Sequence, residues 1–190
     1  VKLLLAHDGI DVNAANSDGW TPLWIASTNG HTEIVKQLLA HDDIEVNAAD
    51  SHGRTPLYWA SHKGHTEIVK QLVEHPKIDV NATDSEDWTP LHWASYKGHI
   101  DIVKQLVEHP KIDVNAATYD GRTPLWMASQ YGHVECAKLL ALIGAIDNGW
   151  VENNDGKYSI NEGSVIPEYY RDHLNTAIDN YTDEDTSFKK

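Results

Sequence analysis

"GRTPLYWASHKGHTEIVKQL", residues 53–72, joins a glycine turn, a Thr-Pro pair, two aromatics, a second glycine and an aliphatic run. By itself it could be a catalytic loop or one copy of something repeated. The flanking sequence decides for the second. Thr-Pro-Leu starts at Thr21, Thr55, Thr89 and Thr123, a constant spacing of 34. Gly-His follows at Gly30-His31, Gly64-His65, Gly98-His99 and Gly132-His133. Val-Asn-Ala recurs at 12–14, 46–48, 80–82 and 114–116. "EIVKQL" at 33–38 and 67–72 becomes "DIVKQL" at 101–106 and weakens to "ECAKLL" at 135–140. Self-similarity at one fixed period of this length marks a stacked array, each unit packing on its neighbours.

Each unit reads as helix, turn, helix and extended hairpin. The Thr55 hydroxyl can cap a helix, and Pro56 at its first position needs no backbone donor. The first helix of this unit is predicted over residues 56–62. Gly64 can take the left-handed conformation that ends it. The second helix is predicted over residues 66–74, with Ile68, Val69, Leu72 and Val73 on one face and Pro76 helping to stop it. "IDVNATDSEDW" is extended and then turns through Asp and Ser. Helices this short fall below the ~12–15 residues that hold alone in water, so packing must supply their stability. Small Ala60, Ala94 and Ala128 allow close helix approach.

The pattern resembles the ankyrin repeat, whose signature includes "TPLHLAA" and "GADVNA". The matching segments are "TPLWIAS", "TPLYWAS", "TPLHWAS" and "TPLWMAS". The resemblance implies an all-α solenoid of stacked helix–turn–helix units joined by β-hairpin-like loops. It covers residues 1–148: a partial unit at 1–20, then units starting near Thr21, Thr55, Thr89 and Thr123. The unit has 34 residues against the family's ~33, the extra residue falling in "HDDIEV" and "HPKIDV". The family's "TPLH" histidine survives only as His92; Trp24, Tyr58 and Trp126 replace it, and with it a Thr–His hydrogen bond. Asp87 stands where the hairpin glycine belongs, which calls that turn's geometry into question.

Past the repeats, residues 149–182 read as a degenerate hairpin followed by a C-terminal capping helix. In the hairpin, Tyr158-Ser159-Ile160 stands in the Thr-Pro-Leu place. In the helix, Ile166, Tyr170, Leu174, Ala177, Ile178 and Tyr181 recur at helical spacing behind Ser164. A stack must cover its last apolar face, which this helix could do; docking to a partner is the alternative. Residues 183–190 read as an acidic, flexible tail. Val1 falls within the second helix of an earlier unit, so the expectation is a piece of a longer protein.

Composition narrows the function classes. The apolar 41% and charged 23% are near globular averages, which argues against wholesale disorder. A net charge of −14 without any Lys/Arg run opposes binding to nucleic acid or an anionic lipid surface. The single cysteine, Cys136, rules out an intrachain disulfide and fits a cytoplasmic or other intracellular, reducing setting. No apolar run approaches ~18 residues, so no membrane insertion is expected.

Catalytic and metal motifs are missing from the sequence. There is no HExxH, CxxC, EF-hand spacing, GxSxG, P-loop or GxGxxG. The twelve histidines fall into columns one repeat apart. Stacked helices lie ~8–10 Å apart whereas zinc ligands lie ~2 Å from one metal, so structural roles are expected. Cys136 takes the place of Ile34 and Ile68 and reads as a small core residue. The chain is expected to be no enzyme and to need no cofactor or metal.

The informative positions are those where copies differ. Before each Thr-Pro-Leu stand Trp20, Arg54, Trp88 and Arg122, residue types enriched at binding hot spots. Asp18, His52, Glu86 and Asp120 vary on the turns, and Thr28, His62, Tyr96 and Gln130 at the first-helix ends. The resemblance implies that these columns line a concave groove that meets partners. Trp24, Tyr58, His92 and Trp126, one helical turn earlier, should flank it. Ile25, Trp59, Trp93 and Met127 match the family's core leucine and read as packing. The competing account of the Trp/Arg column is stacking of Arg54 and Arg122 on Trp20 and Trp88. The leading expectation is a module that binds a partner protein or peptide through groove and hairpin tips, with no small-molecule substrate and no nucleic acid. The alternatives are a permanent scaffold subunit of a larger assembly, or the targeting domain of a longer enzyme.

Overall fold

The computed structural model describes residues 9–143 and the backbone of residues 150–152 and 158–160. Eight helices occupy the described stretch: α1 (Pro22–Thr28), α2 (Thr32–Leu39), α3 (Pro56–Lys63), α4 (Thr66–Val73), α5 (Pro90–Lys97), α6 (Ile100–Val107), α7 (Pro124–Gln130) and α8 (Val134–Leu142). The odd-numbered helices pack on one another in order, as do the even-numbered ones, and each repeat's two helices pack together. The result is a two-layer solenoid of stacked helix pairs, in which the main helix contacts lie within a repeat or between neighbours.

The predicted local signals act where the sequence puts them. Thr21, Thr55, Thr89 and Thr123 each accept a hydrogen bond from the backbone N–H three residues on, and a proline opens each first helix. Gly64 and Gly98 close α3 and α5 at φ 79° and 70°. A second constraint fixes these glycines. A Cβ on Gly64 would stand 2.9 Å from His99 Cε1 of the next repeat, and one on Gly30 2.9 Å from His65 Cε1.

The core runs between the layers as one column. Leu23, Leu57, Leu91 and Leu125 from the first helices meet Val35, Ile68, Val69, Leu72, Ile102, Val103, Leu106 and Leu140 from the second, all fully buried. Ala60, Ala94 and Ala128 are also fully buried, as close helix approach requires. Cys136 lies in this core, where burial pushes its thiol up to about 11, so it stays protonated and inert at neutral pH.

Side chains that look decorative in the sequence couple one repeat to the next. The Asn13 amide donates to the Asp43 carbonyl (2.7 Å) and accepts from the Glu45 N–H (2.9 Å). Asn47 and Asn81 do the same one and two repeats later. The extra residue of the 34-residue unit sits in a turn in which the His41, His75 and His109 Nδ1 atoms each accept the N–H two residues on. Those turns bury Ile44 and Ile78.

Asp87 adopts φ 61°, the left-handed turn its glycine counterparts use, so the third hairpin keeps its geometry at a local strain cost of about 1 kcal/mol. Tyr158–Ile160, aligned with Thr-Pro-Leu within the expected degenerate hairpin, is β2, paired antiparallel with β1 (Trp150–Glu152). The expected capping helix at 164–182, the tail at 183–190 and residues 1–8 of the partial first unit lie outside the described residues.

Candidate functional site

The hairpins are built on one polar residue each. Asn16, Asp50 and Asp84 accept the N–H groups two and four residues on at 2.9–3.0 Å. Thr118 accepts the Arg122 N–H at 3.1 Å. These bonds hold each tip in a fixed turn and leave the residues beside it exposed. Adjacent tips are joined through the backbone: Ser51 donates to the Asp18 carbonyl, Ser85 to His52 and Tyr119 to Glu86, at 3.4, 3.0 and 3.1 Å. Asp18, His52, Glu86 and Asp120 therefore stand in one exposed row.

The first helices carry a ladder of contacting rings. Trp20 stacks on Trp24 with centroids 4.8 Å apart and planes 3° from parallel. Trp24 meets Trp59 edge-on at 5.6 Å. His62 lies edge-on between Trp59 (5.3 Å) and Trp93 (4.4 Å). Trp93 also touches Trp88 (4.5 Å) and Tyr96 (5.5 Å), and Tyr96 touches Tyr131 (4.3 Å). The ladder crosses four repeats. Each such pair is worth about 0.5–1.5 kcal/mol beyond its buried area, so the face is both aromatic and stiff.

Three of the expected groove-flanking residues are inside the stack. Trp24, Tyr58 and His92 are 5%, 4% and 0% exposed. Each reaches the next repeat: Trp24 Nε1 donates to the Arg54 carbonyl (3.0 Å), Tyr58 Oη to Asp84 Oδ2 (2.8 Å) and His92 Nε2 to the Arg122 carbonyl (3.0 Å). Their length, with a polar atom at the tip, is what lets them span the inter-repeat gap, and burial is the cost of that role. His92 alone keeps the family's Thr bond, Thr89 Oγ1 to Nδ1 at 2.8 Å. Trp126 stays partly exposed.

The neighbouring column moves the other way. Met127 is core, as expected, but Ile25 is 40% exposed, and Trp59 and Trp93 are half-buried on the ladder. Ile25, Trp59 and Trp93, read as packing from the sequence, are thus at least partly exposed, as are Tyr131, Lys63 and Lys97. The signal was available, because Ile25, Trp59, Trp93 and Met127 differ from copy to copy while the core leucines beside them do not.

The Trp/Arg column splits by residue type. Arg54 lies 5.0 Å over the Trp59 ring and is paired with Asp50 at 2.8 Å. Arg122 lies 4.7 Å over Trp126 and is paired with Asp120 at 2.9 Å. The arginines thus stack on first-helix rings of their own repeats, not on Trp20 or Trp88 as the stacking account expected. Trp20 remains 36% exposed and Trp88 half-buried.

Ionisation follows the burial. Burial first, then the nearby Lys97 and Lys63, push His62 down to about 4, so it is neutral at pH 7. Burial raises the Tyr58 hydroxyl, and its bond to Asp84 raises it further. Burial lowers His92 against the opposing pull of the Arg122 carbonyl. His62 Nδ1 and Trp59 Nε1 are shut off from solvent without a hydrogen-bond partner, a local cost of about 1–3 kcal/mol for each group.

The histidine column that suggested metal binding is structural. His65 and His133 direct Nε2 at the Thr28 and Tyr96 carbonyls of the preceding repeat, at 3.2 and 2.8 Å, and His99 is held by the His62 carbonyl. Among the described residues no three His, Cys, Asp or Glu side chains gather as a metal would need. No described helix is long and apolar enough to cross a membrane.

A family description of ankyrin repeats in three copies matches residues 1–84 and 77–149. No curated protein matches the chain significantly.

Proposed function

The chain belongs to the ankyrin-repeat family, whose members generally act as protein–protein interaction modules, and we propose that it binds a partner protein or peptide across the first-helix face and hairpin tips. One observation carries this reading. The repeats are nearly identical where they stack, and they differ along a continuous, partly exposed aromatic ladder flanked by a row of polar tips. Aromatic side chains give large contact area at low entropic cost, and a stiff platform does not have to be ordered on binding. Trp88, half-buried against Trp93 and Tyr96, and Arg54, over Trp59, are the central contacts in this reading. Trp20, Arg122, Trp126, Asp18, His52, Glu86, Asp120, His62 and Tyr96 complete the face. Trp24, Tyr58 and His92 support it from below. The partner supplies the chemistry of recognition, and no cofactor is required.

The test is affinity capture and titration of the recovered partner with Trp88→Ala and Arg54→Ala variants of the full chain. Affinity should fall at least tenfold, a larger loss than the folding stability shows in chemical denaturation, where Trp88→Ala gives up its ring contacts and Arg54→Ala its pair with Asp50. Loss of folding in proportion to loss of binding would assign these residues to stacking alone.

A further inference from the structure

The cations of the molecule are not equivalent. On the second helices Lys104 and Lys138 face Asp101 and Glu135 at 3.9 and 3.1 Å, while Lys36 and Lys70 there, and Lys77 and Lys111 in the turns, have neither an ion pair nor a ring beneath them among the described residues. On the hairpins Arg54 and Arg122 are each paired with an aspartate. Lys63 and Lys97, the last residues of α3 and α5, have rings beneath them instead: Lys63 Nζ lies 5.6 Å from the Trp59 centroid and Lys97 Nζ 4.9 Å from Tyr96. Both are exposed, and neither makes an ion pair among the described residues. The charged groups that act on His62, between them, are Lys97, Lys63 and His99, with no carboxylate. In a protein of net charge −14, two lysines without an ion pair thus stand over rings of the aromatic ladder. The carboxylates of the face, Asp18, Glu86, Asp87 and Asp120, stand at the hairpin edge, the last of them paired with Arg122.

Resting on the interaction reading above, we infer that this groove takes an acidic peptide segment, whose carboxylates meet Lys63 and Lys97 while an apolar side chain lies on the Trp59–Trp93 surface. Charge complementarity gives the ligand class and its orientation, with the acidic end toward the helix C-termini and away from the tips. A cationic ligand caged by the rings is excluded by spacing: centroids 4.3–5.9 Å apart are in contact and leave no gap for an alkylammonium group. Single-stranded nucleic acid would also be drawn to cations and rings. It needs a basic track along its backbone, and two lysines in a chain of this net charge do not supply one.

A random 12-residue peptide library displayed on phage, selected on the immobilised full chain, tests this. Enriched peptides should carry Asp or Glu well above Lys or Arg, next to an aromatic or aliphatic residue. Synthetic copies should lose at least tenfold in affinity to the Lys63→Glu/Lys97→Glu chain and less to Lys63→Gln/Lys97→Gln, with circular dichroism melts confirming that both variants fold. No enrichment, acidic peptides indifferent to both lysine variants, or displacement of them by a 12-nucleotide oligothymidylate at equal concentration would overturn the inference. Neutral or basic peptides that still depend on Trp88 would overturn it and leave the groove reading standing. Peptides insensitive to Trp88→Ala and to the lysine variants alike would overturn both.

Discussion

Helices α3 and α4 belong to one repeat and yet are made differently. The second helix, "TEIVKQLV", returns almost unchanged in α2 and α6, and Ile68, Val69 and Leu72 are fully buried. The first helix, "PLYWASHK", buries Leu57 and Ala60 in the same core but spends Tyr58 on the next repeat and turns Trp59, His62 and Lys63 to the groove. Both layers solve the same stacking problem. The second layer solves it with aliphatic side chains that pack against near-identical copies, so its sequence changes little from α2 to α6 and departs only in α8. The first layer anchors by leucine and alanine and by a polar-tipped bridge, which leaves its other face to change from copy to copy.

The comparison can be broken most directly in the shared core. Leu72→Ala should cost about 3 kcal/mol in chemical denaturation, as for other fully buried leucines, without altering affinity for a partner that the groove holds. Gly64→Ala, at the joint between the two helices, should cost about 2 kcal/mol. Its positive φ disfavours a Cβ, and the His99 ring occupies the space. A near-neutral result there would show that the inter-repeat histidine moves easily.

The first-layer bridge should yield a smaller number. Tyr58→Phe removes the bond to Asp84, whose other oxygen still accepts the Glu86 and Trp88 N–H groups, and should cost about 1.5 kcal/mol. A pH titration of stability sharpens the same contrast. His62 is neutral in the fold and binds a proton more readily when unfolded. Its contribution is therefore complete above pH 6.5 and is lost as pH falls from 6.5 toward 4. His62→Gln should flatten the decline in stability over that window. His75, His92 and His99 are shifted in the same direction and keep part of the slope.

The smallest expected effect has the opposite sign. Ser27, Ser61, Ser95 and Ser129 stand where the family signature has its second alanine, and their hydroxyls are buried without a hydrogen-bond partner. Ser61→Ala should raise stability by about 0.5 kcal/mol, because a desolvated hydroxyl is removed with almost no change of shape. A loss of stability would mean that the hydroxyl bonds back to its own helix more strongly than its geometry indicates.

Much of the architecture was legible in the sequence. Capping threonines, first-position prolines, left-handed glycines and a 34-residue period are local signals, and each acts within a few residues of where it is written. The degenerate hairpin expected around residues 153–160 was read from turn residues, and the strands that the structure pairs there are Trp150–Glu152 and Tyr158–Ile160. The face was half legible. The hairpin columns of tips, tryptophans and arginines were singled out by their variation, and the structure leaves the tips exposed. Trp59 and Trp93 were assigned to the core by analogy, and Trp24, Tyr58 and His92 to the surface by helical spacing.

The sequence by itself determined the repeat, its helix boundaries and its aliphatic core, since period and capping depend only on residues close along the chain. Tertiary structure decided that Trp24, Tyr58 and His92 are buried while the residues beside them are partly exposed, and where Lys63 and Lys97 stand relative to any carboxylate. The burial depends on the neighbouring repeat, about 30 residues away, whose backbone carbonyls become partners only when the copies lie side by side.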